Sequence, residues 1–206
     1  MNAPPARPRG IGGGPWRRAA YASLDFETTG LDLDGDDIIS FGVVPIEGGR
    51  ILPGRSTYRE VRPDRPLKHA SIAVHGLRPV DLEGASALGM VVDDLHDALA
   101  GRYVLAWAAE IESAFLARVF GRRSSWWRKQ IIDVLRLALL VEGTRDDRHQ
   151  DFSLTAVADR LGVPVERPHH ALDDALTTAE VFLVLQPELE REGITTPRRL
   201  LRASRG

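Results

Sequence analysis

Leu24-Asp25-Phe26-Glu27-Thr28-Thr29-Gly30 reads as an acidic strand end that runs straight into a turn. Side chains alternate faces along a strand, so Asp25 and Glu27 project to one side and Leu24 and Phe26 to the other. Two like charges then sit side by side, which is costly unless a metal ion or a basic partner neutralises them. A lone Asp-x-Glu also suits a solvated polar face at a strand edge. The meaning of the stretch therefore depends on the partners that the rest of the chain supplies.

A chain of 206 residues fits one domain of ordinary size, able to bury a core without disulfide or metal staples. With no cysteine, disulfides, zinc–thiolate sites and thiol nucleophiles are all excluded. Any metal must be held by oxygen or imidazole ligands, and oxygen suits magnesium or manganese. The start of the chain lacks the charged-then-apolar pattern of a signal peptide, and no apolar run approaches the roughly 18 residues that span a bilayer. A cytoplasmic protein with no membrane partner is expected. A net charge of -2 gives no global basic field. Lys68 and Lys129 are the only lysines; the other cations are arginine, the better match to bidentate phosphate contacts.

Residues 1–18 carry four prolines, four glycines and four arginines and few large apolar groups, so a flexible basic tail is expected. The glycines at 10 and 12–14 do not make a phosphate loop, because no strand precedes them and no Gly-Lys-Ser/Thr follows. Asp32 to Asp37 reads as a solvated acidic turn that lacks the glycine position and terminal glutamate of a calcium loop. Ile38 to Ile46 and Arg50 to Val61 read as a second and a third strand around a Gly48-Gly49 hairpin turn. Short helix and turns follow between Pro63 and Pro79. Apolar spacing from Met90 to Leu99 predicts a helix stopped by Gly101. Tyr103 to Trp107 is a fourth strand, Ala109 to Phe120 a helix, and Ile131 to Asp133 a fifth strand leading into a helix through Leu140. Ser153 caps a helix ending at Gly162, and a last long helix runs from about His170 to Leu185. The predicted organisation is a tail (1–18), an α/β domain (19–190) and a second basic tail (191–206). The domain carries a five-stranded mixed sheet, antiparallel in its first three strands and flanked by helices. Between Gly121 and Gln130, Trp126 and Trp127 alternate with arginines and Lys129. Such indoles either stack bases or pack beneath the sheet, and packing is the stronger expectation.

Two helices carry acids in informative places. Glu112 shares the stripe of Phe115, Leu116 and Val119, which sets a carboxylate among apolar positions, where it needs a partner. In Pro168-His169-His170-Ala171-Leu172-Asp173-Asp174-Ala175, His169 precedes the helix and Asp174 lies about one turn in, so imidazole and carboxylate can face one cleft. Acids near a helix N-terminus also stabilise the helix by themselves.

The Asp25-Phe26-Glu27-Thr28-Thr29-Gly30-Leu31 motif, a middle-helix acid before Phe115-Leu116, and His169 five residues before Asp174 together resemble the DEDDh (DnaQ-like) 3′-5′ exonucleases. Val74-His75-Gly76-Leu77, Asp133 and Ser153-Leu154 also resemble that family's connecting segments, so the likeness covers about Arg18 to Leu185. It implies a ribonuclease-H-like fold. It implies, too, that Asp25, Glu27, Asp174 and the middle-helix acid hold two Mg²⁺ or Mn²⁺ ions, with His169 rather than His170 as general base. The turn Thr28, Thr29, Gly30 and Leu31 would then bind the terminal nucleotide through its main chain, and Asp173 would face solvent. The implied substrate is the 3′ end of single-stranded DNA or RNA, released as nucleoside monophosphates.

The middle motif departs from the family. Members commonly show His-Asn-x-x-Phe-Asp, whereas this chain reads Trp107-Ala108-Ala109-Glu110-Ile111-Glu112, with a glutamate where the aspartate belongs. One extra methylene moves a carboxylate by about 1.5 Å, a distance to which metal geometry is sensitive. The alternative reading is a catalytically impaired nucleic-acid-binding or protein-interaction module on the same fold. The basic tails would in either case serve to recruit a polymerase or other protein partner, or else be frayed and solvated.

Overall fold

Strand β1 (Ala20–Thr28) lies in the middle of the sheet and sets the frame for everything else. The computed structural model describes residues 3–6, 14–30, 32–33, 35–121, 127–143 and 151–205. β1 pairs antiparallel with β2 (Ile38–Glu47) along its whole length, with a register shift between Glu27 and Thr28 that re-aims the strand end. On its other side β1 runs parallel to β6 (Tyr103–Ala106), which in turn runs parallel to β7 (Ile131–Asp133). The mixed α/β sheet expected from the sequence is present.

The strand count differs from the five expected. Seven strands stand among the described residues, in the order β5 (Ser86–Ala87), β4 (Thr57–Arg62), β2, β1, β6, β7, with β3 (Arg50–Ile51) paired to β2 off this path. The stretch expected as one strand from Arg50 to Val61 is two, β3 (Arg50–Ile51) and β4 (Thr57–Arg62). A 3₁₀ turn at Pro53–Arg55 separates them, because proline has no N–H for a ladder. The additional β5 (Ser86–Ala87) is two residues long and pairs parallel with β4, too short to leave a periodic signal.

Helices cover both faces. Ala22, Leu24 and Phe26 point into a core shared with α3 (Leu88–Leu99) and α4 (Glu110–Phe120), and Phe26 meets Phe115 at 6.2 Å between ring centroids. Tyr21 points the opposite way, into a core built with α5 (Val134–Glu142), α6 (Leu154–Arg160) and α7 (Ala171–Arg191). Trp127 is buried in the first core and donates its Nε1–H to the Gly121 carbonyl at 3.1 Å, so this indole packs beneath the sheet. Arg122, Arg123 and Trp126 lie outside the described residues. The short helix expected after Pro63 is α1 (His69–His75), ended by Gly76 at a φ of 74°, and α2 (Pro79–Leu82) follows.

Three expectations about chain ends are corrected. Helix α7 continues through Pro187 to Arg191, six residues beyond the expected Leu185, because Leu189 is fully buried and packing outweighs the proline. The C-terminal segment is not frayed: Thr196 caps α8 (Pro197–Ala203) by accepting from the Arg199 amide, and Leu200 is fully buried. The end of the N-terminal segment packs as well. Trp16 is buried edge-on against Phe182, and its amide donates to the Thr195 carbonyl at 2.9 Å. Ile194 and Leu201 pack against the same core beside Leu200. Among the described residues, no helix is long and apolar enough to cross a membrane.

Candidate active site

The carboxyl ends of the parallel strands β1, β6 and β7 open at one end of the sheet, where open α/β sheets commonly bind ligands. Asp25 and Glu27 continue the face that begins with Tyr21 and Ser23, so the strand changes from apolar to acidic as it reaches this end. Asp174 joins them from the first turn of α7, and one oxygen from each of the three carboxylates lies within 4.8 Å of the others. A glycine makes that meeting geometrically available. Gly42 of β2 is the register partner of Asp25, and a Cβ there would run into the backbone of Ala171 and Leu172. The bare backbone at Gly42 lets the start of α7 lie directly on the sheet beside the acidic pair.

Glu112 approaches from α4, the opposite layer. It lines the same cavity of about 660 Å³ as Asp25, Glu27, Asp174 and His169 but is not within the 4.8 Å group. It is only 4% exposed, and its Oε2 is buried with no hydrogen-bond partner among the described residues. Burial holds all four acids above the usual carboxylate range. For Asp25, Glu112 and then Glu27 and Asp174 add repulsion. Burial together with Asp174 pushes Glu27 up to about 8. The Glu112 carboxyl is raised chiefly by burial, with Asp133 and Glu27 adding to it. Asp174 is raised by burial and partly relieved by the His169 amide.

None of these four acids forms an ion pair with lysine or arginine among the described residues. Lys68 lines the cavity, but its Nζ lies 2.6 Å from Asp36. Crowded acids, a missing countercharge and an orphaned buried oxygen fit hard divalent cations, which take oxygen ligands.

His169 and His170 diverge. The backbone of His169 is left-handed (φ 62°), and its amide donates to Asp174 Oδ2 at 2.9 Å, so its ring borders the cavity. Such a conformation in a non-glycine residue is unfavourable and persists where the surroundings impose it. His170 instead stacks on Tyr58 at 4.7 Å between centroids, away from the acids. Asp173 does not face solvent as expected. Its Oδ2 lies 2.6 Å from Arg167 Nε and 3.4 Å from His170 Nδ1, because the helix turn aims it at the Tyr58 side.

In the turn, Thr28 and Gly30 line the cavity, and the Thr28 hydroxyl donates to the Gly30 carbonyl at 2.7 Å. Thr29 turns away and is fully buried, donating to Asp36 Oδ1 at 2.9 Å. Leu31 lies outside the described residues. The acidic turn expected to be solvated is thus a clasp. Asp36 is 3% exposed and also accepts from the Asp32 amide, and its pairing with Lys68, Asp32 and Thr29 outweighs burial to hold its carboxyl low.

Sequence reasoning passed over Lys68, His75 and Ser153 as cavity-lining residues. His75 Nδ1 accepts from the Leu77 amide at 3.0 Å, while Nε2 is buried without a partner among the described residues. Burial, with His169 adding, holds the His75 ring below the usual imidazole range. Its place in Val74-His75-Gly76-Leu77, before a glycine that ends a helix, was the available signal.

A family model described as exonuclease (RNase_T) matches residues 23–182. The chain is 34% identical over 181 residues to a DNA polymerase III PolC-type of Thermotoga maritima, an alignment covering 86% of this chain and 12% of the relative. It is 34% identical over 185 residues to a DNA polymerase III subunit epsilon-like protein of Rhodobacter capsulatus, covering 88% and 26%. This chain therefore spans a minor part of the length of either relative. Among solved structures, it superposes on the nuclease domain of 3′hExo, a DEDDh family member bound to rAMP, with a TM-score of 0.66 and 19% identity. That superposition covers 85% of this chain and 94% of the other, and at this identity it speaks to the fold alone.

Proposed function

Because the chain belongs to the exonuclease family whose model spans residues 23–182, we propose that it is a divalent-metal-dependent 3′-5′ exonuclease. Its substrates are 3′ ends of single-stranded DNA or RNA, and its products nucleoside 5′-monophosphates. The observation that carries this reading is the convergence of Asp25, Glu27 and Asp174 beside a His169 that is held by its own amide on Asp174. Asp25, Glu27, Asp174 and Glu112 are the residues that would hold two Mg²⁺ or Mn²⁺ ions. Bound there, such ions would stabilise charge that develops on the phosphoryl oxygens and make water a stronger nucleophile.

The chain's own residues supply positioning and proton transfer. His169 accepts the proton that the attacking water gives up, and the bond from phosphorus to the 3′ oxygen of the penultimate nucleotide breaks. The left-handed backbone at His169 fixes where that ring enters the cavity. Thr28 and Gly30 form the wall that the terminal nucleotide meets, and the Asp36 clasp on Thr29 keeps this turn rigid. The names of the two polymerase relatives support a polymerase as a protein partner.

Labelled single strands incubated with Mn²⁺ should shorten from the 3′ end. Asp25→Asn and His169→Ala should each lower the rate at least a hundredfold, as removal of a metal ligand or a general base commonly does. Intact strands together with no calorimetric Mn²⁺ binding would return the chain to the impaired-module reading, which the position of Glu112 outside the three-carboxylate group favours.

A further inference from the structure

A second cavity, of about 570 Å³, adjoins the acidic one, and Ala108 lines both. Its walls come from the start of α4, from α5 and from the end of the C-terminal segment, and they carry Arg128, Lys129, Arg136 and Arg205. Ala108, at the junction, has a left-handed backbone (φ 49°).

The charges in this groove are arranged unevenly. Asp133 turns its carboxylate onto the backbone amides of Ala109 and Arg136, at 3.2 Å each. Glu110 is well exposed and lies 4.0 Å from Arg128. Lys129, Arg136 and Arg205 form no ion pair among the described residues. Two arginines at the β4 side of the sheet are paired instead: Arg55 lies 3.2 Å from Glu47, and Arg59 lies 2.7 Å from Asp94. The Arg205 guanidinium donates to the Lys129 carbonyl, so the packed C-terminal segment completes the groove wall.

We propose that this groove is a phosphate track for single-stranded nucleic acid. It holds the backbone 5′ of the scissile bond while the 3′ end occupies the acidic cavity. The proposal rests on the exonuclease reading above. A strand whose end lies among carboxylates must leave past a neighbouring wall, and the wall reached across Ala108 carries Lys129 and Arg136, which form no ion pair among the described residues. Guanidinium forks fit phosphate oxygens, and each neutralised phosphate releases counterions, so the track makes affinity for long strands salt-dependent.

The test is fluorescence anisotropy of labelled dT20 in EDTA, where no cleavage interferes, across a range of salt concentrations. Lys129→Gln/Arg136→Gln should weaken binding roughly tenfold at low salt and reduce the log–log salt slope by about 1.4, at about 0.7 per single-strand phosphate contact. Arg55→Gln/Arg59→Gln, with the same change in net charge, should change binding by less than twofold. A single Arg136→Glu keeps the test available if the double variant folds poorly. Absence of dT20 binding by the unaltered protein overturns the track, as does a groove variant that binds normally or a control that weakens equally. Strand shortening by the unaltered protein in Mn²⁺ judges the exonuclease reading separately.

Discussion

Glu27 illustrates how a single side chain couples stability to chemistry. Burial and Asp174 push its carboxyl up to about 8, against an ordinary value of 4.5 when the chain is unfolded. Between these pH values the folded state binds more protons than the unfolded state, so stability falls as pH rises through the window. With metal chelated, thermal melts should therefore move to lower temperature from about pH 4.5 to about pH 8. Glu27→Gln, which keeps the neutral shape, should flatten that fall, and saturating Mn²⁺ should oppose it by favouring the ionised acids. Equal pH dependence in both proteins would contradict the proton-holding role. The Asp25-x-Glu27 alternation was legible in the sequence because strand periodicity alone puts both acids on one face. Asp36 and Asp173 were not, because each was expected in water and is instead claimed by a cation from another segment, Lys68 or Arg167.

Helix α7 is the element whose placement brings the site together, and its contact with the sheet depends on Gly42. Gly42→Ala forces a Cβ into the Ala171 and Leu172 backbone. Overpacking of this kind costs about 1–3 kcal/mol. It should also lower Mn²⁺ affinity at least tenfold in calorimetry, since the whole first turn of the helix, with Asp174, must lift. Gly54→Ala, where a Cβ meets nothing within 4 Å, should change neither quantity. Mn²⁺ binding by Gly42→Ala equal to that of the unaltered protein would remove the glycine contact from the account. From the sequence, α7 had a recognisable start and an acid one turn in, but its end was placed too early. Pro187 is a strong local signal, and the burial of Leu189 that overrides it is visible only after the helix has packed.

Taken as a whole, the molecule is closed by its two ends. Trp16 and the Leu200 helix pack on the same core as α7, and the amide-to-carbonyl bond from Trp16 to Thr195 joins them. Leu200→Ala should cost about 2–5 kcal/mol in urea denaturation, as truncation of a buried leucine does. A frayed tail would lose nothing, so a midpoint unchanged from the unaltered protein would reject the packed arrangement. Arginine content made both segments look solvated, and the few apolar residues among the arginines, Trp16 in one and Ile194, Leu200 and Leu201 in the other, are too short a pattern to say which are buried.

Residue order along the chain was sufficient for the strand pair, the histidine-to-aspartate spacing, the mixed sheet and the thiol-free, oxygen-or-imidazole ligand chemistry, since each rests on local periodicity or on which residue types are present. Convergence was not readable in this way. Asp25, Asp174 and Glu112 line one cavity because strand register sets Gly42 opposite Asp25, because a helix can lie on that glycine, and because the opposite layer presents Glu112 at the same sheet end. Those are distances between segments far apart in the chain, and they are set by packing, which depends on every surface in contact at once.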